Sequence, residues 1–259
     1  MTKQHYKVLY KEYPELKSPP IILSGYVGSI SHGTFRPKND PNSIDDKDVM
    51  AITVPSIDHY FGLKTFGSKG TKIIMKDEWD ITIYEIKKII GLLLKGNPNV
   101  LCMLWLNEEN YIEKTDAGNL LIENRDIFSS KQVYHSFVGY AHGQAHRMTH
   151  MAFEGYMGEK RKALVKKHGY DTKNASHLIR LLRMGIEFLT EGYLYVKRKD
   201  ATQLLEIKNG EWSLEKVQEE SDRLFKLAEE AYIRSSLPSQ PDREKAEQIC
   251  IDICKSILA

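Results

Sequence analysis

The strongest constraint on the fold lies in the segment from Tyr26 to Pro55. The apolar stretch "DVMAITVP" is headed by three aspartates in four positions, Asp45, Asp46 and Asp48. Carboxylates held this close repel one another unless a counter-charge stands between them. In a strand, residues i and i+2 share a face. A strand over this stretch therefore turns Asp46 and Asp48 to one side. It turns Asp45 and Lys47 to the other, where they are solvated or paired with each other, and Asp45 reads as a bystander. Upstream, "IIL" follows the Pro19-Pro20 break and leads through Gly25 and Tyr26-Val27 as a buried strand. Gly28, Ser29 and Gly33 come next. The loop 36–43, "RPKNDPNS", reads as irregular and exposed.

Two carboxylates on one face make a poor structural element without a cation between them. Mg²⁺ takes hard oxygen ligands, usually one or two carboxylates together with substrate phosphates. A third carboxylate would complete a two-metal site. The best candidate is Asp80 in "EWDITIYEI", on a strand-like segment between Trp79 and Ile81. Gly28 and Ser29 can cradle a triphosphate, since glycine admits close backbone approach and the N–H groups and hydroxyl donate hydrogen bonds. A D-x-D alone is more often a solvated turn, and a Gly-Ser pair alone says less still. Their order here, strand, Gly-Ser, D-x-D on the next strand and a later Asp, is much more specific.

The remaining chain sets the architecture. "KIIMKDEWDITIYEIKKIIGLLLKG" begins as a strand and changes to helical periodicity around Ile83 to Glu85, with Ile86, Ile89, Ile90 and Leu93 on one face. Gly96, Asn97 and Pro98 fit a helix end, an N-cap and a first helical position, and "NVLCMLWL" follows as a helix. From Lys131 onward the pattern is almost wholly helical. Asn174 is the expected N-cap and Gly192 the expected C-cap of "NASHLIRLLRMGIEFLTEG". The fold class is α+β: mixed strands and helices, then a helical C-terminal region. The 259 residues suit one large or two small domains, and the formal net charge of +2 points to no partner class. Three cysteines, without a C-x-x-C pair, fit a reducing cytoplasm, and Cys250 and Cys254 read as core packing on one helix face. No signal peptide and no membrane span is evident.

With these residues in hand, the order "GS…DKD…D" resembles the nucleotidyltransferase superfamily that includes DNA polymerase beta. More narrowly, the chain resembles the predicted nucleotidyltransferases related to RNA-ligase-associated RNA-repair proteins. The narrower likeness rests on "GSISHGT", "DKDV", "VPSIDHYFGL", "WDITIYEIKKIIGLLLKGNPNVLCMLW", "YDTKNASHLIRLLRMGIEFLTEG" and "LPSQPDREKAEQI". It implies a polymerase-beta-like core, a short mixed sheet flanked by helices. A catalytic domain over 1–125 and a helical domain over 126–259, completing the nucleotide and acceptor cleft, are expected. By position, Gly28 and Ser29 match the phosphate-cradling pair, Asp46 and Asp48 the metal-binding acids, and Asp80 the third acid that helps deprotonate the acceptor. Two departures stand out. The loop between Ser29 and Asp46 is longer than the family's, and Cys102 replaces an acid after "NPNVL".

Lys173, His177 and Arg180 fall at i, i+4 and i+7, on one helix face. The resemblance turns that face toward the nucleotide phosphates; without it a solvated stripe is the simpler reading. His142, His146 and His150 also recur every four residues, as a polar face lining the acceptor groove or, less simply, as zinc ligands. "GEKRKALVKKHG" is either a solvated face or a grip on RNA phosphates. The leading expectation is Mg²⁺-dependent (or Mn²⁺-dependent) transfer of a nucleoside monophosphate from an NTP to an acceptor hydroxyl. An RNA or tRNA 3′ end is the first choice of acceptor, with a protein side chain or a small molecule as alternatives. A catalytically silent nucleotide- or RNA-binding protein is the reading of another class.

Overall fold

The computed structural model describes residues 19–37, 40, 45–76, 78–149 and 159–259. Strand β1, Ile21–Tyr26, is buried along its whole length. It runs into a short helix α1, Gly28–His32, closed by Gly33 in the left-handed region. Strand β2, Lys47–Thr53, returns antiparallel to β1. The helical turn α2, Asp58–Phe61, then leads to β3, Thr71–Lys76, and β4, Trp79–Glu85. The segment expected as one strand turning into helix is thus a hairpin, β3 antiparallel to β4. Glu78 lies in a turn just before Trp79 and starts the return strand.

Strand β4 pairs parallel with β2, and β5, Tyr111–Lys114, closes the opposite edge against β1. The five-stranded sheet has the order β3-β4-β2-β1-β5. Strand β5 carries no long apolar alternation, and edge pairing with β1 alone brings it into the sheet. Helix α3, Ile86–Leu94, starts where the Glu85 side chain accepts the backbone N–H groups of Lys87 and Lys88. Its buried face is Ile86, Ile89, Ile90 and Leu93, as the periodicity requires. Gly96 follows with φ of 64°, and Asn97 caps α4, Pro98–Leu101. The apolar run beyond it tightens into a 3₁₀ turn, Cys102–Trp105, rather than a longer α-helix.

The helices that follow are α5, Asp116–Glu123; α6, Gln132–Thr149; α7, Glu159–His168; and α8, Thr172–Glu191. They continue as α9, Ala201–Lys208; α10, Leu214–Arg234; and α11, Arg243–Leu258. Helix α8 is the central one, buried between α6, α9 and α10 through residues such as Leu178, Leu181, Leu182 and Phe188. Its N-cap is Asp171, not Asn174: the Asp171 carboxylate accepts the Asn174 backbone N–H at 3.0 Å and its amide N–H₂ at 3.0 Å. The helix therefore begins three residues earlier than the sequence pattern placed it. Gly192 ends it in the left-handed region, as expected.

The sheet divides the interior. One cluster, with Ile22, Met50, Ile52, Ile86 and Trp105, extends without a break into α8 and α11. A smaller one, with Tyr26, Val49, Ala51, Ile81 and Ile83, covers the other face. Cys250 and Cys254 pack at the border of the larger cluster, as read. No helix among the described residues is long and apolar enough to cross a membrane.

Candidate active site

Strand alternation decides which side chains meet. On β2, Val49 and Ala51 enter the smaller cluster, so Asp48, Met50 and Ile52 face the helices. Strand β4 pairs with it in parallel register: Asp48 opposite Asp80, Met50 opposite Thr82, Ile52 opposite Tyr84. Asp80, Thr82 and Tyr84 therefore share the face of Asp48. Asp46 precedes the first residue of β2 and is exposed at the mouth of the site.

The chain between β1 and α1 approaches the same point. Val27 N–H donates to the Asp48 carbonyl at 3.0 Å. Gly28 has φ of 61°, and a Cβ there would collide with Asp48 Oδ2. Glycine is required on both counts, and the backbone at Gly28-Ser29 lies directly against the carboxylate.

These groups and the buried face of α8 enclose a cavity of about 350 Å³. Every residue singled out from sequence as part of the site lines it: Gly28, Ser29, Asp46, Asp48, Asp80, Lys173, His177 and Arg180. The sheet thus supplies the acids and α8 the cations, from segments far apart in the chain. Sequence spacing alone could not bring His32, Asn99, Cys102, Ser176 and Lys208 to the same cavity.

Electrostatics follow from this crowding. Burial raises the Asp48 carboxyl from an ordinary 3.8 to about 6, Lys173 opposes the rise, and Asp80, Asp46 and Asp45 add to it. Asp80 is also raised, by burial and then by Asp46. Its Oδ1 is buried with no hydrogen-bond partner among the described residues. Burial lowers the Arg180 guanidinium to about 10, which leaves it charged at neutral pH. Its Nη1 donates to the Met184 sulfur at 3.1 Å, and no carboxylate among the described residues pairs with it. The Cys102 thiol donates to the Pro98 carbonyl at 3.1 Å and is pushed by burial up to about 11. It is a neutral wall of the cavity.

Two sequence expectations need correction. Asp45 is no bystander. Its side chain is 1% exposed and bound by Lys208, with Nζ 2.5 Å from Oδ2 and 2.6 Å from Oδ1. It also accepts the Arg36 backbone N–H at 3.0 Å. Lys47 does not pair with it but with Glu78, beneath the Trp79 ring. Second, His142 stacks on Phe225 of α10, ring centroids 4.3 Å apart, and neither His142 nor His146 lines the cavity. His150 lies outside the described residues, as do 38, 39 and 41–44 of the long loop. The run "GEKRKALVKKHG" includes α7, where Lys162 makes an exposed pair with Glu159 at 2.9 Å.

Comparison with known proteins gives one extensive match. The model of the RlaP family, the RNA repair pathway DNA polymerase beta family, matches residues 3–252. No curated protein matches the chain. Among solved structures, a nucleotidyltransferase-like protein from Exiguobacterium sibiricum 255-15 is 12% identical, with a TM-score of 0.31, over 89% of this chain and 74% of that one. The CD-NTase CdnG of Bradyrhizobium diazoefficiens, solved with GTP, is 10% identical, with a TM-score of 0.19, over 99% of this chain and 94% of that one. Likeness at this level carries no weight for activity.

Proposed function

The chain belongs to the RNA repair pathway DNA polymerase beta family and has a polymerase-beta-like nucleotidyltransferase fold; from that premise we propose that it transfers a nucleoside monophosphate from an NTP to an acceptor hydroxyl, releasing pyrophosphate. The observation that carries this reading is the pairing of Asp48 opposite Asp80 across parallel strands, with the Gly28-Ser29 backbone against Asp48.

The donor set fits a divalent cation. It consists of hard carboxylate oxygens, one of them, Asp80 Oδ1, buried and unpartnered among the described residues. No group of three or more His, Cys, Asp or Glu side chains among those residues is arranged to hold a metal ion by itself. An open site is what Mg²⁺ uses when phosphates and water complete its shell. Asp46, Asp48 and Asp80 are the residues that would hold Mg²⁺ or Mn²⁺, and the ion would supply charge neutralisation on the phosphates.

The protein's own residues do the rest by position and charge. Gly28 and Ser29 cradle the triphosphate through backbone N–H groups and the Ser29 hydroxyl. Lys173, His177 and Arg180 meet it from α8, where the Arg180 guanidinium faces no carboxylate among the described residues. Asp80, with its raised pKa, accepts the proton of the acceptor hydroxyl. The catalytic domain is 1–125, and the helical domain 126–259 brings the cations to the cleft. Preorganised charge in a site shielded from water is the main source of acceleration.

The acceptor in this reading is the 3′ end of an RNA or tRNA, in keeping with the family's RNA-repair description. Incubation with each NTP, Mg²⁺ and RNA ending in a 3′ hydroxyl should release pyrophosphate and lengthen the RNA. RNA with a 3′-deoxy end should remain unchanged. Release of orthophosphate in place of pyrophosphate would instead mark a phosphohydrolase, and release of NDP with a phosphorylated acceptor a kinase.

A further inference from the structure

Between α8 and α9 the chain crosses the surface as an extended strap, 193–199. Its side chains alternate: Leu194, Val196 and Arg198 are buried, while Tyr193, Lys197 and Lys199 are exposed and Tyr195 half-buried. Arg198 anchors it by ion pairs to Glu187 at 2.5 Å and Asp200 at 2.8 Å. The outward face therefore carries two aromatic rings, their centres 4.9 Å apart, followed by two cations.

A second pocket of about 550 Å³ opens beside this strap, lined by Trp105, Asn107, Tyr193, Tyr195, Lys197 and Lys199 among others. Trp105 is 2% exposed, and its Nε1–H is buried with no hydrogen-bond partner among the described residues. The Arg125 guanidinium lies 5.4 Å from the Trp105 ring centre and 5.6 Å from that of Tyr193. It donates to the Leu104 carbonyl at 3.1 Å, and no carboxylate among the described residues pairs with it. The Arg125 guanidinium, with no carboxylate against it among the described residues, favours an anionic ligand with acceptor oxygens. Two acids lie on this face: Glu109, in an exposed ion pair with Lys197 at 3.1 Å that a phosphate must displace, and Glu191, which accepts from the Tyr195 hydroxyl at 2.7 Å.

We infer that the strap 193–199 and its pocket form a binding surface for single-stranded RNA, with bases stacked on Tyr193 and Tyr195 and phosphates held by Arg125, Lys197 and Lys199. Interleaved rings and cations suit a strand whose unpaired bases offer π-faces and whose backbone carries charge. An acidic peptide would use the cations and leave the rings without a role. The strap is also one layer from the catalytic cavity. Arg198 N–H donates to the His32 carbonyl at 3.3 Å, the His32 ring bonds the Val196 carbonyl at 2.9 Å, and His32 lines that cavity. The inference rests on the reading that the acceptor is RNA, and it adds where that RNA is held.

The test is fluorescence anisotropy of a labelled twelve-nucleotide single-stranded RNA with the full chain. Tyr193→Ala with Tyr195→Ala should weaken binding by at least roughly tenfold, because loss of one stacked base is worth about that much. Lys197→Ala with Lys199→Ala should weaken it and reduce the slope of log affinity against log salt by up to about two. Tyr193→Phe with Tyr195→Phe should keep wild-type affinity, which separates stacking from misfolding. Binding of a fluorescent ATP analogue to the cavity should be unchanged in all three. Wild-type RNA affinity in both alanine pairs would overturn the inference, as would no binding by the wild type or equal competition by polyglutamate. RNA binding that obeys these results without any nucleotide transfer would overturn the proposed activity and leave the RNA surface standing.

Discussion

Lys208 Nζ lies 2.5 Å from Asp45 Oδ2, and both side chains are almost wholly buried, at 6% and 1% exposure. Asp45 immediately precedes Asp46, so this pair ties the head of β2 to the C-terminal turn of α9. Burial lowers the Lys208 pKa, and Asp45 holds it up. Removing one partner strands the other charge, at a cost of about 3–5 kcal/mol. Lys173, 3.9 Å from Asp45 Oδ1, can offset only part of that. Lys208→Met should therefore lower unfolding stability in urea by that order, and adding Asp45→Asn should restore much of it. A single substitution that costs nothing would mean the pair holds nothing in place.

The Asp48 carboxyl gives stability a pH signature. Its folded pKa, about 6, is above the ordinary 3.8, so the native state binds the proton more tightly than the unfolded chain does. The contribution is fully present below about pH 4 and is lost as pH rises through 6. The loss is on the order of 2 kcal/mol after allowance for solvent screening. Thermal melts of the metal-free protein from pH 4 to pH 7 should show this decline, and Asp48→Asn should remove it. Added Mg²⁺ should stabilise the wild type most above pH 6, where the carboxylate is ionised.

Much of this site was legible in the sequence, because its chemistry is written in short local patterns. Gly28-Ser29, Asp46-x-Asp48 and Asp80 each sit beside an apolar strand whose alternation fixes their face. Lys173, His177 and Arg180 lie at helical spacing on one helix. What the sequence hid is tertiary. Lys208 stands in an ordinary helix-end pattern, "EIKNG", and nothing local marks it as the partner of Asp45. The β3–β4 hairpin was hidden because both strands are short and the second runs directly into the apolar face of α3. Asp171 displaced Asn174 as the cap because both are good capping residues and only the backbone path chooses between them.

Gly28 should tolerate no side chain. Alanine there is strained by the positive φ and collides with Asp48. Gly28→Ala should destabilise the fold by about 1–3 kcal/mol. It should also abolish binding of a fluorescent NTP analogue at protein concentrations where the folded state still dominates. Retained binding would remove the Gly28-Ser29 backbone from the phosphate site.

The cysteines should differ sharply in reactivity. Cys254, beside Cys250 at the border of the core, has a thiol held below the ordinary range by that neighbour, whereas burial holds Cys102 at about 11. Brief treatment with iodoacetamide at pH 7.5, followed by peptide mass spectrometry, should label Cys254 well before Cys102. The reverse order would place an open path to the cavity wall beside Cys102.

The most direct test of the central claim is transfer of label from an α-³²P NTP to RNA by the wild type and by Asp46→Asn, Asp48→Asn and Asp80→Asn. Each variant should retain the fold by circular dichroism and lose at least about a hundredfold in rate. Labelling at wild-type rate in the Asp48→Asn and Asp80→Asn proteins would contradict a nucleotidyltransferase centre built on these paired strands.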